Sequence, residues 1–182
     1  MLRDYLKLHL CSATGIQTAG LVLTLNGEPV TIHARVKHLL SDGDGLRTGL
    51  QWMGQGCSKP CWRHWNVLRK NSDRAHRSAG NEYVEIDCHE HHRFQVWRQS
   101  DLTDAVAVIL EARRQADAGL ATRARLERVE QAFGFRATEH GLLADEELRR
   151  CFNVVDVVRY DWVHTFLQSG AVTIDTWGLI DA

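Results

Sequence analysis

The chain has 182 residues, enough for one domain with its own core. Its 22 lysines and arginines nearly balance 23 aspartates and glutamates, for a net charge of -1, which argues against a free-standing nucleic-acid module but allows a local basic face. No apolar run is long enough to span a bilayer, and Asp4 and His9 interrupt the apolar N-terminus, which makes it a poor secretory signal. Five cysteines without regular disulfide spacing favour a reducing, intracellular compartment with free or metal-bound thiols.

Residues 2–11 set Leu2, Tyr5, Leu6, Leu8 and Leu10 among charges, as a short amphipathic helix does. A loop over 12–20 leads to a predicted strand, Leu21 to Leu25. Asn26-Gly27 then signals a type I′ hairpin, since both residues tolerate positive φ. Pro29 to Leu40 is the predicted return strand, with Ile32, Ala34 and Val36 on one face. The run breaks at Ser41-Asp42-Gly43-Asp44-Gly45 and resumes as a short helical pattern carrying Leu46, Leu50 and Met53. Residues 71–80 form a polar loop, and Tyr83 to Cys88 is a second short strand. From Asp101 the period becomes helical. One helix runs to about Ala118, with Ser100 or Asp101 as N-cap and Gly119 as stop, and a second covers Ala121 to Phe133. Asp145 to Cys151 reads as a short helix. Val154 to Tyr160 fits a strand or a buried helix equally. Asp161 to Gln168 reads as a helix ended by Gly170, and the sequence then stops inside an apolar segment, as a domain cut short would. The organisation is one incomplete unit over 1–182, with hairpin, acidic turn and Cys/His cluster in 1–100 and a helical region in 101–182.

Three constellations could carry chemistry. Asp42 and Asp44 lie on a Gly-rich turn after a strand, where paired carboxylates can hold a divalent cation, though Asp and Gly are also ordinary turn residues. Cys57, Cys61 and His64 precede Cys88, His89, His91 and His92, two short groups of thiolate and imidazole ligands that a structural Zn²⁺ could join. Cys61-x-x-His64 places two ligands on one tight turn. The bland alternative is that Cys61 and Cys88 are small buried thiols and the histidines a polar loop. Asp161-x-x-His164 puts two polar groups on one helical face, although a helix N-cap alone would explain Asp161. Lys59, Arg63, Arg69, Lys70, Arg74 and Arg77 form a potential basic stripe for nucleic acid, with Trp62 and Trp65 available to stack on bases. Neither a nucleophile elbow nor a phosphate-binding or dinucleotide loop is present.

The order of these pieces resembles a known family. His33-Ala-Arg-Val-Lys-His-Leu-Leu-Ser-Asp42-Gly-Asp44-Gly looks like the segment around the second catalytic aspartate of CACTA-type (Tnp2-like) DNA transposases. The family's C-x-x-C is matched by Cys61 and His64, with His replacing the second Cys. Its Asp-x-x-His is matched within RYDWVHTFLQSG, residues 159–170. The strings SDGDG, KPC and YDW-x-H are also similar to divergent transposon-derived protist sequences. Only these three short motifs are specific.

The resemblance implies an α+β chain with a partial RNase H-like mixed sheet and an inserted helical region. It implies acidic residues that hold Mg²⁺, DNA as partner and a nuclear location, while the lack of a long apolar run leads to the expectation of no membrane partner. Asp42 would be the second acid, with Asp44 its competitor, and Asp161 and His164 would support the site. The first acid should lie on an upstream strand and the third on a helix after Asp161. Neither is found, so strand transfer or nuclease activity is not expected. An incomplete sheet would leave open edges and favour self-association. Two other readings stand beside this one. The first is a zinc-stabilised nucleic-acid-binding module built on the Cys/His cluster and basic stripe. The second is a metal-dependent hydrolase in which Asp42, His89, His92, Asp161 and His164 converge.

Overall fold

The computed structural model describes residues 2–70, 82–86, 89–151 and 153–160. Leu2–Leu6 forms one short helix (α1), which widens into a π-helical segment over Lys7–Cys11. Leu6 is buried, and Leu10 and Cys11 pack against the core beside it. Leu21–Leu25 (β1) and Glu28–Ile32 (β2) pair antiparallel in the expected hairpin. Asn26 (φ 53°) and Gly27 (φ 87°) both take the left-handed conformation that a type I′ turn needs.

The hairpin differs from its prediction in two ways. Its return strand ends at Ile32 rather than Leu40. Beyond it the Ala34 amide donates to the Ile16 carbonyl and the Val36 amide to Gln17 Oε1, so the preceding loop, and not β1, satisfies that backbone. Every residue of both strands is also exposed. The register sets Leu21 opposite Ile32 and Leu23 opposite Val30, an apolar face turned to solvent.

Leu39–Ser41 (β3) leads directly into a helix over Gly43–Gly49 (α2), whose Leu46 is buried, as is Leu50 just beyond it. Val67–Leu68 (β4) and Val84–Glu85 (β5) make a second, parallel pair; β5 is shorter than the predicted strand. Gln99–Asp117 (α3) and Arg123–Phe133 (α4) pack as a helical hairpin. α3 begins before the expected cap, after Arg98, and Ser100 and Asp101 fall in its first turn. Gln99 is held there by tertiary contact, its Oε1 accepting from the Val154 amide at 2.9 Å. α4 starts two residues after the expected Ala121, where Thr122 accepts from the Arg125 amide, and Gly134 (φ 81°) closes the C-terminus.

Glu146–Cys151 (α5) is capped by Asp145, which accepts from the Leu148 amide at 3.1 Å. Next, Val154 to Tyr160 resolves as both alternatives in turn, a helical turn at Val154–Val157 (α6) and a strand at Val158–Tyr160 (β6). β6 runs parallel to β3, with Leu39 opposite Val158 and Ser41 opposite Tyr160. The two predicted halves of the chain thus meet in one sheet. Leu46, Trp52, Leu102, Ile109, Phe135, Leu148, Val155 and Val158 form the centre of a single hydrophobic cluster.

Helices and three two-stranded sheets give an α+β arrangement among the described residues. No described helix is long and apolar enough to cross a membrane. The expectation of free thiols fails for two cysteines: Cys11 and Cys151 form a disulfide with their Cα atoms 5.7 Å apart, while Cys57 and Cys61 are free. α5 packs on the π-helical segment and brings the pair together, across a sequence separation of 140 residues that spacing alone does not reveal.

Candidate functional site

The Cys/His loop is tied down at both ends. The Arg69 amide donates to the Ser58 carbonyl at 3.0 Å, closing the loop on itself, and Ser58 N and Oγ donate to Gln131 Oε1 of α4. Gly134 lies so close that a Cβ there would come within 2.8 Å of Lys59 Cβ. From Arg63 to Val67 the loop runs against residues 93–97. The Trp97 amide donates to the Arg63 carbonyl, the Trp65 amide to the Gln95 carbonyl, and His64 pairs with Val96 as an antiparallel bridge. Asn66 is fully buried at the crossing. Its Nδ2 donates to the Glu82 and Arg93 carbonyls, and its Oδ1 accepts from the Gln95 amide. Three segments distant in sequence are therefore fixed by one amide side chain.

This frame brings Cys61 and His64 together, with Sγ and Nδ1 3.1 Å apart. Burial, and then the nearby positive charge of Arg63, hold the His64 imidazole below its ordinary pKa, so it is neutral at pH 7. The other expected zinc ligands are placed differently. Cys57 is buried and turned inward, its Sγ 3.0 Å from the Gly54 carbonyl oxygen and 2.9 Å from that of Lys59. Burial pushes its thiol pKa up, which disfavours the thiolate a metal needs. His89, His91 and His92 are exposed. His91 packs edge-on against Phe94 at 5.2 Å, and His64 packs on the same ring at 5.6 Å, so a phenyl group links the two histidines. Cys88 lies outside the described residues. Among the described residues no three His, Cys, Asp or Glu side chains are grouped to hold an ion.

The basic stripe is corrected at Lys59. That residue is 4% exposed, and its Nζ donates to the Trp65 carbonyl while lying 5.1–5.8 Å from the ring centroids of Trp65, Tyr83 and Trp97. Its charge serves the interior and is not presented to a ligand. Trp62 is buried and Trp65 half-buried, and Trp65 packs edge-on against Tyr83, which leaves neither as an open stacking platform. Arg69 and Lys70 are exposed, with Arg69 Nη1 donating to the Gly56 carbonyl. Arg63 is half-buried. Arg74 and Arg77 lie outside the described residues.

The acidic turn forms the start of α2. Asp42 is its N-cap and accepts from the Gly45 amide through Oδ1 at 2.7 Å. A Cβ at Gly45 would fall 2.2 Å from Ser41 Oγ, so glycine is what lets the helix begin directly after β3. Asp44 is solvent-exposed and pairs with Arg47 at 3.0 Å. Asp161 and His164 lie outside the described residues.

A cleft of about 270 Å³ opens beside the Cys61–His64 pair. Arg63 and Arg159 join the pair in lining it, with Trp52, Pro60, Trp62, Ile86 and Val158 as apolar wall. Arg159 had no signal as a site residue in the sequence, because β6 had to be placed beside the loop first. Comparison with known protein families, with curated protein sequences and with solved structures gave no match to this chain.

Proposed function

We propose that this chain is a divergent, transposase-derived polypeptide of the CACTA type, with a partial RNase H-like core, DNA as its partner and no strand-cleaving activity of its own. The observation that supports it most is the parallel pairing of β3 with β6. Asp42 follows β3, and Tyr160, the last residue of β6, immediately precedes the D-x-x-H motif in the sequence. The resemblance implies a mixed sheet with an inserted helical region, and the α3–α4 hairpin lies between these two strands in the chain.

The donor set at the turn suits a hard cation such as Mg²⁺. Asp42 uses Oδ1 to cap α2, and Asp44 uses Oδ1 for Arg47. The second oxygen of each carboxylate is left for an ion, which would neutralise charge on a phosphate held there. Two carboxylates occupied in this way offer too few oxygens for the two metals that in-line displacement of a phosphodiester requires.

Mn²⁺ binding followed by electron paramagnetic resonance tests the acid assignment. Asn caps helices as well as Asp does, so Asp42→Asn keeps α2 while removing a charge. The wild type is expected to take up Mn²⁺ with a dissociation constant on the order of 10⁻³ M, and Asp42→Asn to lose it. Equal uptake by both proteins would overturn the assignment. Nicking of supercoiled plasmid that requires Asp42 would overturn the inactivity.

A further inference from the structure

We propose that Cys61 and His64 form a thiol–imidazole nucleophilic site, and that its cleft accepts small anionic electrophiles with an apolar body. Cys61 is half-buried at the edge of the cleft, with its Sγ 3.1 Å from His64 Nδ1. That separation lets Nδ1 take the thiol proton directly when the imidazole carries its own proton on Nε2. The loop frame fixes His64, which sits on the segment bridged to residues 93–97, and Cys61 lies three residues before it on the same loop. Cys57, four residues earlier, has its thiol pointed into backbone carbonyls and offers an internal comparison.

The cleft indicates the ligand's chemistry. Two arginines line it, and Arg63 Nε is a buried donor with no hydrogen-bond partner in the structure. A buried donor left unmet is costly, and a ligand carboxylate or phosphate would satisfy it. Arg159 Nη1 donates to the Val155 and Val158 carbonyls, which fixes its side chain at the cleft. Trp52, Ile86 and the other apolar residues would cover the uncharged part of the ligand.

The step is a displacement at carbon. The Sγ proton moves to His64 Nδ1, the sulfur electron pair forms the S–C bond, and the bond from that carbon to its leaving group breaks. The leaving group departs with its electron pair, and the imidazolium returns its proton to water. An activated acyl group carrying a carboxylate or phosphate is the ligand class this arrangement suits.

Alkylation of the full chain without reductant tests the proposal, with labelled cysteines identified by peptide mass spectrometry. Iodoacetate and iodoacetamide are the two probes, because they differ in charge and little else. Cys61 is expected to react at least about tenfold faster than Cys57 and than Cys61 in the urea-unfolded chain. The ratio of the iodoacetate to the iodoacetamide rate should be higher for folded Cys61 than for the unfolded chain, and should fall in Arg159→Gln. His64→Gln should remove the rate advantage while circular dichroism shows a folded chain. A folded wild-type rate no faster than the unfolded one overturns the proposal without any variant. Stoichiometric Zn²⁺ binding that blocks Cys61 also overturns it, in favour of a metal-ligand role for the pair.

Discussion

Arg113 donates through Nη2 to Glu130 Oε1 at 2.5 Å, joining the two helices of the α3–α4 hairpin through a carboxylate that is almost wholly buried. The same guanidinium donates from Nε to the Ala137 carbonyl, so it also fixes the chain where it leaves α4. Arg136 lies near the second carboxylate oxygen at 3.9 Å. Glu130 falls on the helix face that carries Leu126, which explains how a charged residue is accommodated in the core.

Removing either partner should therefore cost more than an exposed ion pair does. Arg113→Ala leaves a buried carboxylate without its main partner, and a loss of about 2–4 kcal/mol is expected from urea unfolding. Arg113→Met with Glu130→Leu should recover much of that loss, because no uncompensated charge remains. Strict additivity in the double-mutant cycle would show that the pair is not coupled.

Asn66 should be the most sensitive position of the Cys/His loop. Asn66→Ala strands the Gln95 amide and removes both donors to the Glu82 and Arg93 carbonyls. A loss of about 2–4 kcal/mol is expected, since three hydrogen bonds in a fully buried place go together. Amide hydrogen exchange should quicken from 82 to 97 as well as in the loop. Exchange that changes at Asn66 alone would rule out its role as the tie between segments.

How much of this was legible beforehand depended on the range of the interaction. Asn26-Gly27 and the Leu21–Leu25 run specify a hairpin locally, and Gly134 ends α4 by backbone chemistry that needs no tertiary context, whereas the helix predicted from Ala121 passes over the Thr122 cap. β2 ends at Ile32 although Ala34 and Val36 alternate as strand residues do, because their backbone partners come from residues 16 and 17. Val154 to Tyr160 could not be assigned to helix or strand because β-branched runs suit both, and the choice falls to β3 as a pairing partner. At the site, Cys61-x-x-His64 was visible as a pair. The inward turn of Cys57 and the cage around Lys59 were not, since each depends on residues brought close only by folding. Arg159 reaches the cleft for the same reason.

Acid should weaken the chain through Asp145. Burial raises the pKa of that carboxyl, but the Leu148 amide, the Lys7 ammonium at 3.1 Å and Arg3 together outweigh burial and hold it below the ordinary carboxylate range. A depressed folded-state pKa means that the unfolded chain takes the proton first as pH falls. The stabilisation is complete above the unfolded value of about 3.9 and is lost as pH falls through the lower folded value. The urea midpoint should drop below about pH 4, and Asp145→Asn should flatten that drop. His64 has the same sign in a higher window: its depressed pKa makes stability decline as pH falls below about 6.5. His64→Gln should remove that earlier decline and leave the later one, so the two groups can be separated in one titration.

Lys59 separates a structural cation from a ligand-binding one. Its ammonium has a backbone acceptor at Trp65 and three aromatic rings within 6 Å, and its stem lies against Gly134. Lys59→Met keeps the length of the stem and removes the charge. The Trp65 carbonyl and the cage then lose their donor, and a destabilisation of about 1–3 kcal/mol is expected. Arg69→Gln, at an exposed position, should change stability by less than about 0.5 kcal/mol. On the proposed reading that DNA is the partner, affinity measured across a salt series should show the reverse ranking. A residue that neutralises a phosphate contributes about one unit to the slope of log affinity against log salt, whereas a buried cation contributes none. Lys59→Met should therefore keep the wild-type slope when measured below its unfolding temperature, and Arg69→Gln should reduce it. A slope reduced by Lys59→Met alone would mean that the loop opens on DNA and releases the ammonium from its cage.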